Sequence, residues 1–292
     1  MTTRQIIQVE GKSLQLSNLD KILWPRLGLT KADLLDYHAR LFSLTQLHWQ
    51  GRALTVTRYP HGVEKEFFYQ KNAPPSSPSW VATHRIEGTN YVVAGDLATI
   101  SWLANSAAIE FHPSTFVISR PKVPSYAIID LDPTDPQGFA EAVQIGKYCR
   151  DILGEMGLRG YPKLSGATGI HIYIPLQGRY DFSITAQLIR VIGLTLQRLY
   201  PNKVTLERLI KNRHGVYVDY MQNHPSKTIV GVYSPRPPPE ATVSTPVRWA
   251  DLDYYEPRDF TLRTVPDWVK EKGDLFEPVL TRPQSLEHLR FF

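Results

Sequence analysis

Two aspartates near the middle of the chain alternate with apolar residues, as in a β-strand. Asp130 and Asp132 lie in residues 125–133, SYAIIDLDP, and their two-residue spacing places both side chains on one face of the strand. Neighbouring carboxylates repel each other unless a cation binds between them, and ligation by oxygen alone suits Mg²⁺ or Mn²⁺. The pair therefore indicates either a metal site for phosphoryl or nucleotidyl transfer, or a strand end whose acids face water.

A third acid and a glycine-containing turn carry the next candidates. Asp219 alternates with valines in a strand predicted over residues 215–223, so it is either a further metal ligand or a single strand acid. Ser165 and His171 lie on either side of the turn GATG in residues 163–176. Glycines let backbone N–H groups approach an anion, so both side chains could reach a phosphate; the alternative is an ordinary hairpin.

Two strand ends carry a histidine and an arginine. His112 shares a face with Glu110 in a strand predicted at residues 108–113, and Arg236 ends a strand predicted at residues 227–236. A histidine at a strand end is usually structural, and most arginines are solvated, although an arginine fork also grips phosphate. His112 gains interest because the following strand carries the paired aspartates.

Two lysines flank the turn before a predicted helix. Lys21 and Lys31 lie on either side of this corner, and Thr30 is a suitable N-cap for the helix. From the residues alone, two solvated lysines are the better interpretation. The alternative is a phosphate site near the N-terminus of the helix.

Adjacent phenylalanines lie in a strand predicted at residues 66–71. Phe67 and Phe68 must point to opposite sides of the sheet, so one ring could be exposed beside Arg58 and Lys71. An exposed ring next to cations forms a platform on which bases stack. The commoner arrangement has one ring in the core and the other over the sheet edge, and the sequence does not decide between the two arrangements.

The elements that position these residues are strands and amphipathic helices in mixed order. A strand that ends in acids and continues into a helix places its ligand site at the carboxyl end of the strand. The remaining predicted elements are a strand at 52–59, a hairpin or extended excursion at 85–96, helices at 96–106, 138–156 and 182–200, and a proline-spaced extension at 257–292 anchored by Trp268 and Phe276.

Composition excludes several classes of protein. The chain has 292 residues, of which 42% are hydrophobic, so it can form an ordinary core and is not generally disordered. No apolar run approaches the roughly 20 residues of a membrane span, and the first residues lack an apolar signal core. A single cysteine excludes disulfides within the chain and fits a reducing cytoplasm. The net charge of +5 permits a nucleic-acid partner without requiring one.

In their number and order, these segments resemble the polymerase domain of the bacterial non-homologous end-joining ligase, ligase D, within the archaeo-eukaryotic primase superfamily. The resemblance runs along nearly the whole chain, and no single motif decides it. The motifs are SNLDKILWP at 17–25, GLTKADL at 28–34, FFYQKNAP at 67–74, IEFHP at 109–113, IIDLDP at 128–133, KLSGATGIHIYIPL at 163–176, VYVDYMQN at 216–223, VYSPRP at 232–237 and VSTPVRW at 243–249.

The resemblance implies an α+β fold with two β-sheets flanked by helices, one sheet RRM-like, in a single domain spanning residues 1–292. It also implies a role for each candidate residue, and it replaces the solvated interpretation of the lysines. The implied roles are catalysis and ligation of two Mn²⁺ or Mg²⁺ ions by Asp130, Asp132 and Asp219; nucleotide binding by His112, Ser165, His171 and Arg236; DNA 5′-phosphate binding by Asn18, Lys21 and Lys31; and template or primer contacts by Arg58, Phe67, Phe68 and Lys71.

The implied reaction is template-directed addition of a nucleotide to a 3′-hydroxyl, which fills gaps and extends ends in double-strand break repair. A preference for ribonucleotides and for Mn²⁺ is implied as well. The implied partners are DNA with gaps or ends that carry a 5′-phosphate, NTP or dNTP, a separate DNA ligase, and an end-binding protein of the Ku type. The expected location is the cytoplasm, at the nucleoid, with no membrane association. The 85–96 excursion lies where the family carries a loop that helps to align two DNA ends.

Two departures from the family pattern matter. Thr168 stands inside the SGxxGxH motif where the family commonly has a basic residue, which predicts a weaker hold on the triphosphate or compensation by another Lys or Arg. The chain also lacks a KxDG ligase motif, so we expect a stand-alone protein or an excised domain. Alternatives that stay open are a primase that starts chains without a primer, a DNA-end-binding module whose chemistry has lapsed, and a metal-dependent nuclease.

Overall fold

A computed structural model describes residues 4–135 and 138–289 of the chain. The strands are β1 (Arg4–Val9), β2 (Lys12–Ser17), β3 (Ile22–Trp24), β4 (Leu29–Thr30), β5 (Ala53–Arg58), β6 (Phe68–Gln70), β7 (Thr83–Ile86), β8 (Thr89–Val93), β9 (Ala108–Pro113), β10 (Tyr126–Pro133), β11 (Tyr161–Leu164), β12 (Ile170–Pro175), β13 (Val204–Thr205) and β14 (Val216–Val218). The α-helices are α1 (Lys31–Trp49), α2 (Leu97–Asn105), α3 (Phe139–Glu155), α4 (Phe182–Leu199), α5 (Val265–Lys272) and α6 (Glu277–Thr281).

The chain groups into two compact units. Unit 1 comprises residues 1–119, 228–244 and 258–273, and unit 2 comprises residues 120–227, 245–257 and 274–292. The assignment of the whole chain to a single domain stays a prediction.

Unit 1 is built around β5, whose Ala, Leu, Val and Thr side chains are all buried. β5 pairs antiparallel with β6, β8 and β9, and β7 pairs with β8. The core joins Trp49 of α1, Leu54 of β5, Ile100 of α2 and Phe111 of β9. The start of α1 is fixed by a capping box, in which Thr30 accepts from the Asp33 N–H and the Asp33 carboxylate accepts from Thr30.

Unit 2 contains a five-stranded sheet in the order β11-β12-β10-β14-β13. The central β10 is antiparallel to β12 and β14, and the short β13 is parallel to β14. The apolar stripe of α3, including Ile145 and Leu153, is buried, as is that of α4, including Leu188 and Ile192. The mixed α/β class with sheets flanked by helices is therefore confirmed, and the RRM-like arrangement stays a prediction.

One strand prediction was wrong and another was too long. Residues 227–236 form no regular strand, because Tyr233 adopts a φ of +60° and the backbone N–H groups of Gly231 and Tyr233 donate to Phe111 and Ser244 instead of a continuous ladder. The strand predicted over residues 215–223 is limited to β14, and a 3-10 turn (Tyr220–Gln222) follows it. Asp219 therefore lies just beyond the strand end, and Arg236 lies in irregular chain.

The extension at 257–292 carries the two predicted aromatic anchors in different units. In unit 1, Trp268 packs edge-on against Phe260 with ring centroids 5.0 Å apart. In unit 2, Phe276 is 2% exposed and packs against Tyr173 at 4.9 Å. Within the described residues, no helix is long and apolar enough to cross a membrane.

Candidate active site and DNA-end cavity

The three predicted acidic ligands lie along one face of the sheet in unit 2. Asp130 and Asp132 both belong to β10. The Asp219 N–H donates to the Asp130 carbonyl at 3.0 Å, which places Asp219, the residue after β14, beside Asp130. Asp132 pairs with Tyr217 of β14. Because directly opposed residues of antiparallel strands share a face, the sheet register gathers the acids that the sequence spacing only suggested.

The acids make specific contacts with their neighbours. The Asp130 Oδ1 lies 3.3 Å from His171 Nε2, and the Tyr217 hydroxyl donates to Asp219 Oδ1 at 3.1 Å. Burial, followed by the nearby Asp219 carboxylate, raises the pKa of Tyr217 well above its ordinary value. Tyr217 was not among the sequence candidates, although its alternation with Asp219 would have placed it on the same face.

The three carboxylates suit a divalent cation because of their chemistry and because they lie on one face of the sheet. All three donors are carboxylates, the ligands that Mg²⁺ and Mn²⁺ prefer. Within the described part of the chain, however, no three His, Cys, Asp or Glu side chains converge as a ready metal cluster. Ligation by Asp130, Asp132 and Asp219 therefore stays a prediction.

The SGATG turn closes on itself beside these acids. Ser165 Oγ accepts from the N–H groups of Ala167 and Gly169, both at 3.1 Å, and the Ser165 N–H donates to the Gly169 carbonyl. A Cβ on Gly169 would lie 2.4 Å from the Leu131 carbonyl oxygen and 3.2 Å from Asp132 Oδ1, so only glycine lets the turn approach the acids this closely. The fold thus brings Ser165 and His171 to the acidic row, while their predicted contact with phosphate stays a prediction.

Thr168 is exposed at the tip of this turn. We expect Thr168→Lys to lower the KM for the incoming nucleotide by about threefold to tenfold, because an added charge-assisted contact to phosphate is worth roughly 1 kcal/mol at an exposed site. Steady-state extension with nucleotide titration measures this effect. Thr168→Gln is the uncharged control, and an unchanged KM for Thr168→Lys would remove the idea that Thr168 weakens the hold on the triphosphate.

In unit 1, a buried glutamate joins the two remaining predicted nucleotide ligands. Glu110 Oε1 lies 3.2 Å from Arg236 Nε, and its Oε2 lies 4.0 Å from His112 Nε2 and accepts from the Tyr59 hydroxyl at 3.3 Å. Burial and the Glu110 carboxylate raise the pKa of Tyr59. Sequence reasoning placed Glu110 on the face of His112 but gave it no role; in the structure its carboxylate lies between the side chains of Arg236 and His112.

The predicted phosphate lysines line one polar cavity in unit 1. The cavity has a volume of about 290 Å³ and is lined by Asn18, Lys21, Lys31 and Arg58, among others. Lys31 is 4% exposed and donates to the Ser17 carbonyl at 2.6 Å. Burial, then the charges of Lys21 and Arg58, lower the pKa of Lys31 below its ordinary value. Converging cations that repel one another favour an anion in the space between them.

Arg58 lies in this cavity, whereas the resemblance grouped it with the template contacts. Its Nε donates to the Ser106 carbonyl at 2.8 Å and its Nη1 to Gln70 Oε1 at 2.9 Å. The guanidinium also lies 5.2 Å from the centroid of the Phe68 ring. Arg58 therefore connects the cavity to the aromatic strand.

Both phenylalanines are exposed, at 52% for Phe67 and 45% for Phe68, so the commoner arrangement with one ring in the core is wrong here. Phe67 stacks on Tyr59 at 5.2 Å and lies edge-on to Tyr69 at 6.0 Å, while Phe68 faces Arg58. Lys71 is exposed nearby in the chain. Tyr69, which is 63% exposed, adds a third ring that sequence reasoning did not single out.

Removal of one exposed ring should weaken DNA binding. We expect Phe68→Ala to raise the Kd for single-stranded template DNA by about tenfold, since stacking of a base on an aromatic ring is worth roughly 1–3 kcal/mol. Fluorescence anisotropy measures the change. Tyr254→Ala, which removes an 80% exposed ring from unit 2, is the matched control. Equal Kd values for wild type and Phe68→Ala would show that the ring does not contact the template.

Comparison with known proteins places these features in a family. A family model described as "LigD, primase-polymerase domain" matches residues 30–276. The "Bifunctional non-homologous end joining protein LigD" of Bacillus subtilis strain 168 is 36% identical over 275 residues, which are 93% of this chain and 45% of the relative. The "Multifunctional non-homologous end joining DNA repair protein LigD" of Mycobacterium tuberculosis H37Rv is 32% identical, over 90% of this chain and 36% of the relative. The chain thus spans less than half the length of these relatives.

A solved structure shows the same fold. The structure described as "Polymerase Domain from Mycobacterium tuberculosis Ligase D in complex with DNA" superposes with a TM-score of 0.85 at 30% identity, covering 93% of this chain and 99% of that one. The LigD primase-polymerase domain is a metal-dependent nucleotidyltransferase that acts on DNA. The predicted enzyme class is therefore confirmed, and the particular ion stays a prediction. The family model and the identity of the relatives show that the chain belongs to the LigD primase-polymerase family.

Proposed function

We propose that the chain is a template-directed polymerase that fills gaps and extends ends during non-homologous end joining, with a preference for ribonucleotides and Mn²⁺. The observation that carries the proposal is the row of Asp130, Asp132 and Asp219 on one sheet face of unit 2, next to His171 and the SGATG turn. Oxygen ligands for divalent ions beside a glycine-containing turn are the parts that nucleotidyl transfer uses.

Asp130, Asp132 and Asp219 would hold the divalent ions, which when bound activate the primer 3′-hydroxyl and neutralise charge on the triphosphate. The hydroxyl of Ser165 would bind and orient the phosphates, a positioning role. His171 would donate to a phosphate oxygen or keep the Asp130 carboxylate in place. His112 and Arg236 remain proposed contacts to the nucleotide, and Glu110 would orient the Arg236 guanidinium within unit 1.

The cavity of unit 1 would bind the 5′-phosphate on the downstream side of a gap. It combines the ammonium groups of Lys21 and Lys31 with the guanidinium of Arg58 and the amide of Asn18. This chemistry suits a phosphate monoester, which carries close to two negative charges at neutral pH. A separate ligase and an end-binding protein of the Ku type stay proposed partners, as do the cytoplasm and the nucleoid as location.

Extension of a gapped DNA duplex tests the proposal. A primer bordering a short gap is incubated with Mn²⁺ or Mg²⁺ and with NTP or dNTP, on substrates with and without the downstream 5′-phosphate. We expect extension that needs the divalent ion, favours NTP and increases with the phosphate. Chelation by EDTA should abolish it.

The same assay separates the alternatives. Synthesis on a template without any primer would favour a primase. Degradation of the strand would indicate a nuclease. DNA binding without extension under all of these conditions would contradict a polymerase and favour an end-binding module.

A further inference from the structure

A lysine without any predicted role is buried in the row of side chains that leads to Asp130. The register places Lys163 of β11 opposite His171 of β12, and His171 opposite Asp130 of β10, so the three side chains share one face of the sheet. Lys163 is 0% exposed. Its Nζ lies 2.8 Å from His171 Nδ1, and His171 Nε2 lies 3.3 Å from Asp130 Oδ1.

The burial of Lys163 indicates a specific role. Lysine is almost never fully buried unless it is paired, because an ammonium group loses its hydration on burial. The contacts of Lys163 include the ring of His171 and the face of Tyr173, whose centroid lies 5.7 Å from Nζ. At 2.8 Å from Nδ1, the ammonium is within hydrogen-bond distance of the imidazole.

The two nitrogens of His171 face opposite kinds of partner. A lysine ammonium only donates hydrogen bonds, so Nδ1 accepts; a carboxylate only accepts, so the ring proton belongs on Nε2. These neighbours select a single tautomer and fix the orientation of the ring. The Nε2···Oδ1 separation of 3.3 Å is a contact rather than a short hydrogen bond, and the bond from Lys163 is therefore the tighter anchor of the ring.

We propose that Lys163 is a positioning residue for nucleotidyl transfer, which holds His171 as the Nε2–H tautomer and keeps its ring against the Asp130 carboxylate. The inference rests on the proposed function, because the position of His171 affects a rate only if Asp130 and His171 serve catalysis. Lys163 itself contacts neither the nucleotide nor the DNA in this role. Outer partners that orient a ligating group typically change activity by about 10–100-fold when they are removed.

Nitrogen NMR of metal-free protein with ¹⁵N-labelled histidine tests the tautomer without any activity measurement. The signals of His171 among the nine histidines are assigned with His171→Asn. We expect an unprotonated Nδ1 and a protonated Nε2 in the wild type. Lys163→Met should lose this single tautomer, whereas Lys163→Gln, which retains an N–H donor, should keep it.

Kinetics of the same variants separate positioning from stability. We expect Lys163→Met to lower kcat for extension by about 10–100-fold with little change in nucleotide KM, and Lys163→Gln to recover part of that loss. Leu164→Ala is the matched control, since Leu164 is the next residue of β11, is 0% exposed and points to the other face.

The possible results separate the role of Lys163 from the proposed function of the protein. A wild-type His171 protonated on Nδ1, or on both nitrogens, overturns the role of Lys163 and leaves the proposed function intact. The same kcat loss in Leu164→Ala as in Lys163→Met also overturns it, because that loss would reflect folding. The expected tautomer in a protein that extends no primer contradicts the proposed function, and the catalytic role of Lys163 with it.

Discussion

Asp130→Asn is expected to lower the rate of primer extension by at least about a thousandfold, which corresponds to roughly 4 kcal/mol of transition-state stabilisation. The substitution keeps the shape of the side chain but removes a charged oxygen ligand from the acidic row. The Kd for gapped DNA should stay within about twofold of the wild-type value, since phosphate contacts dominate DNA affinity and Asp130 provides none. Single-turnover extension and fluorescence anisotropy measure the two quantities.

The thermal stability of Asp130→Asn is a second measurement, and we expect it not to fall although the activity is lost. Removing one of several like charges on a sheet face relieves repulsion, so the melting temperature of the metal-free protein should stay level or rise. Asp151→Asn is the matched control, because Asp151 is an exposed carboxylate of unit 2 that pairs with Arg150 at 2.7 Å. It should extend primers at the wild-type rate. Near wild-type extension by Asp130→Asn would refute the assignment of Asp130 as a metal ligand.

Lys21→Gln is expected to remove most of the advantage that a downstream 5′-phosphate gives to gap filling. Hydrogen bonds to charged groups contribute about 1.5–3 kcal/mol, so the ratio of extension rates with and without the phosphate should fall by roughly tenfold or more. Lys21 is the better choice than Lys31, because Lys31 is buried and also donates to the Ser17 carbonyl. Rates on DNA without the phosphate should not change.

The control for this experiment is Lys65→Gln, which removes an exposed lysine outside the cavity. An equal effect of both variants would mean that general charge, rather than the cavity, attracts the DNA. The phosphate effect should also depend on pH. Because burial lowers the pKa of Lys31, its positive charge is lost at a lower pH than the charge of an ordinary lysine. The phosphate advantage should therefore decline on the alkaline side.

Local patterns determined much of the architecture from the sequence alone. Thr30 caps α1 as predicted, because a threonine hydroxyl satisfies N–H groups that a helix start leaves open. The alternation around Asp130 and Asp132 located β10 and its acidic face, since the period of a strand is fixed at two residues. The order of short motifs identified the family, which the comparisons confirm.

Where local patterns failed, backbone conformations or distant partners decided. Residues 227–236 read as a strand, but the positive φ of Tyr233 and hydrogen bonds to Phe111 and Ser244 make the segment irregular. The exposure of both Phe67 and Phe68 could not be predicted, because periodicity gives the side to which a ring points but not what covers that side.

The sequence by itself determined the family, the mixed α/β class, the acidic strand, and the residue types available for phosphate binding. Only the tertiary structure decided which of these residues meet. The register of β11, β12 and β10 aligns Lys163, His171 and Asp130, and the fold of unit 1 brings Lys21, Lys31 and Arg58 to one cavity. The physical reason is that the burial of a side chain, the tautomer of a histidine and the repulsion between cations all depend on neighbouring residues. Those neighbours come from distant parts of the chain, so spacing along the sequence does not reveal them.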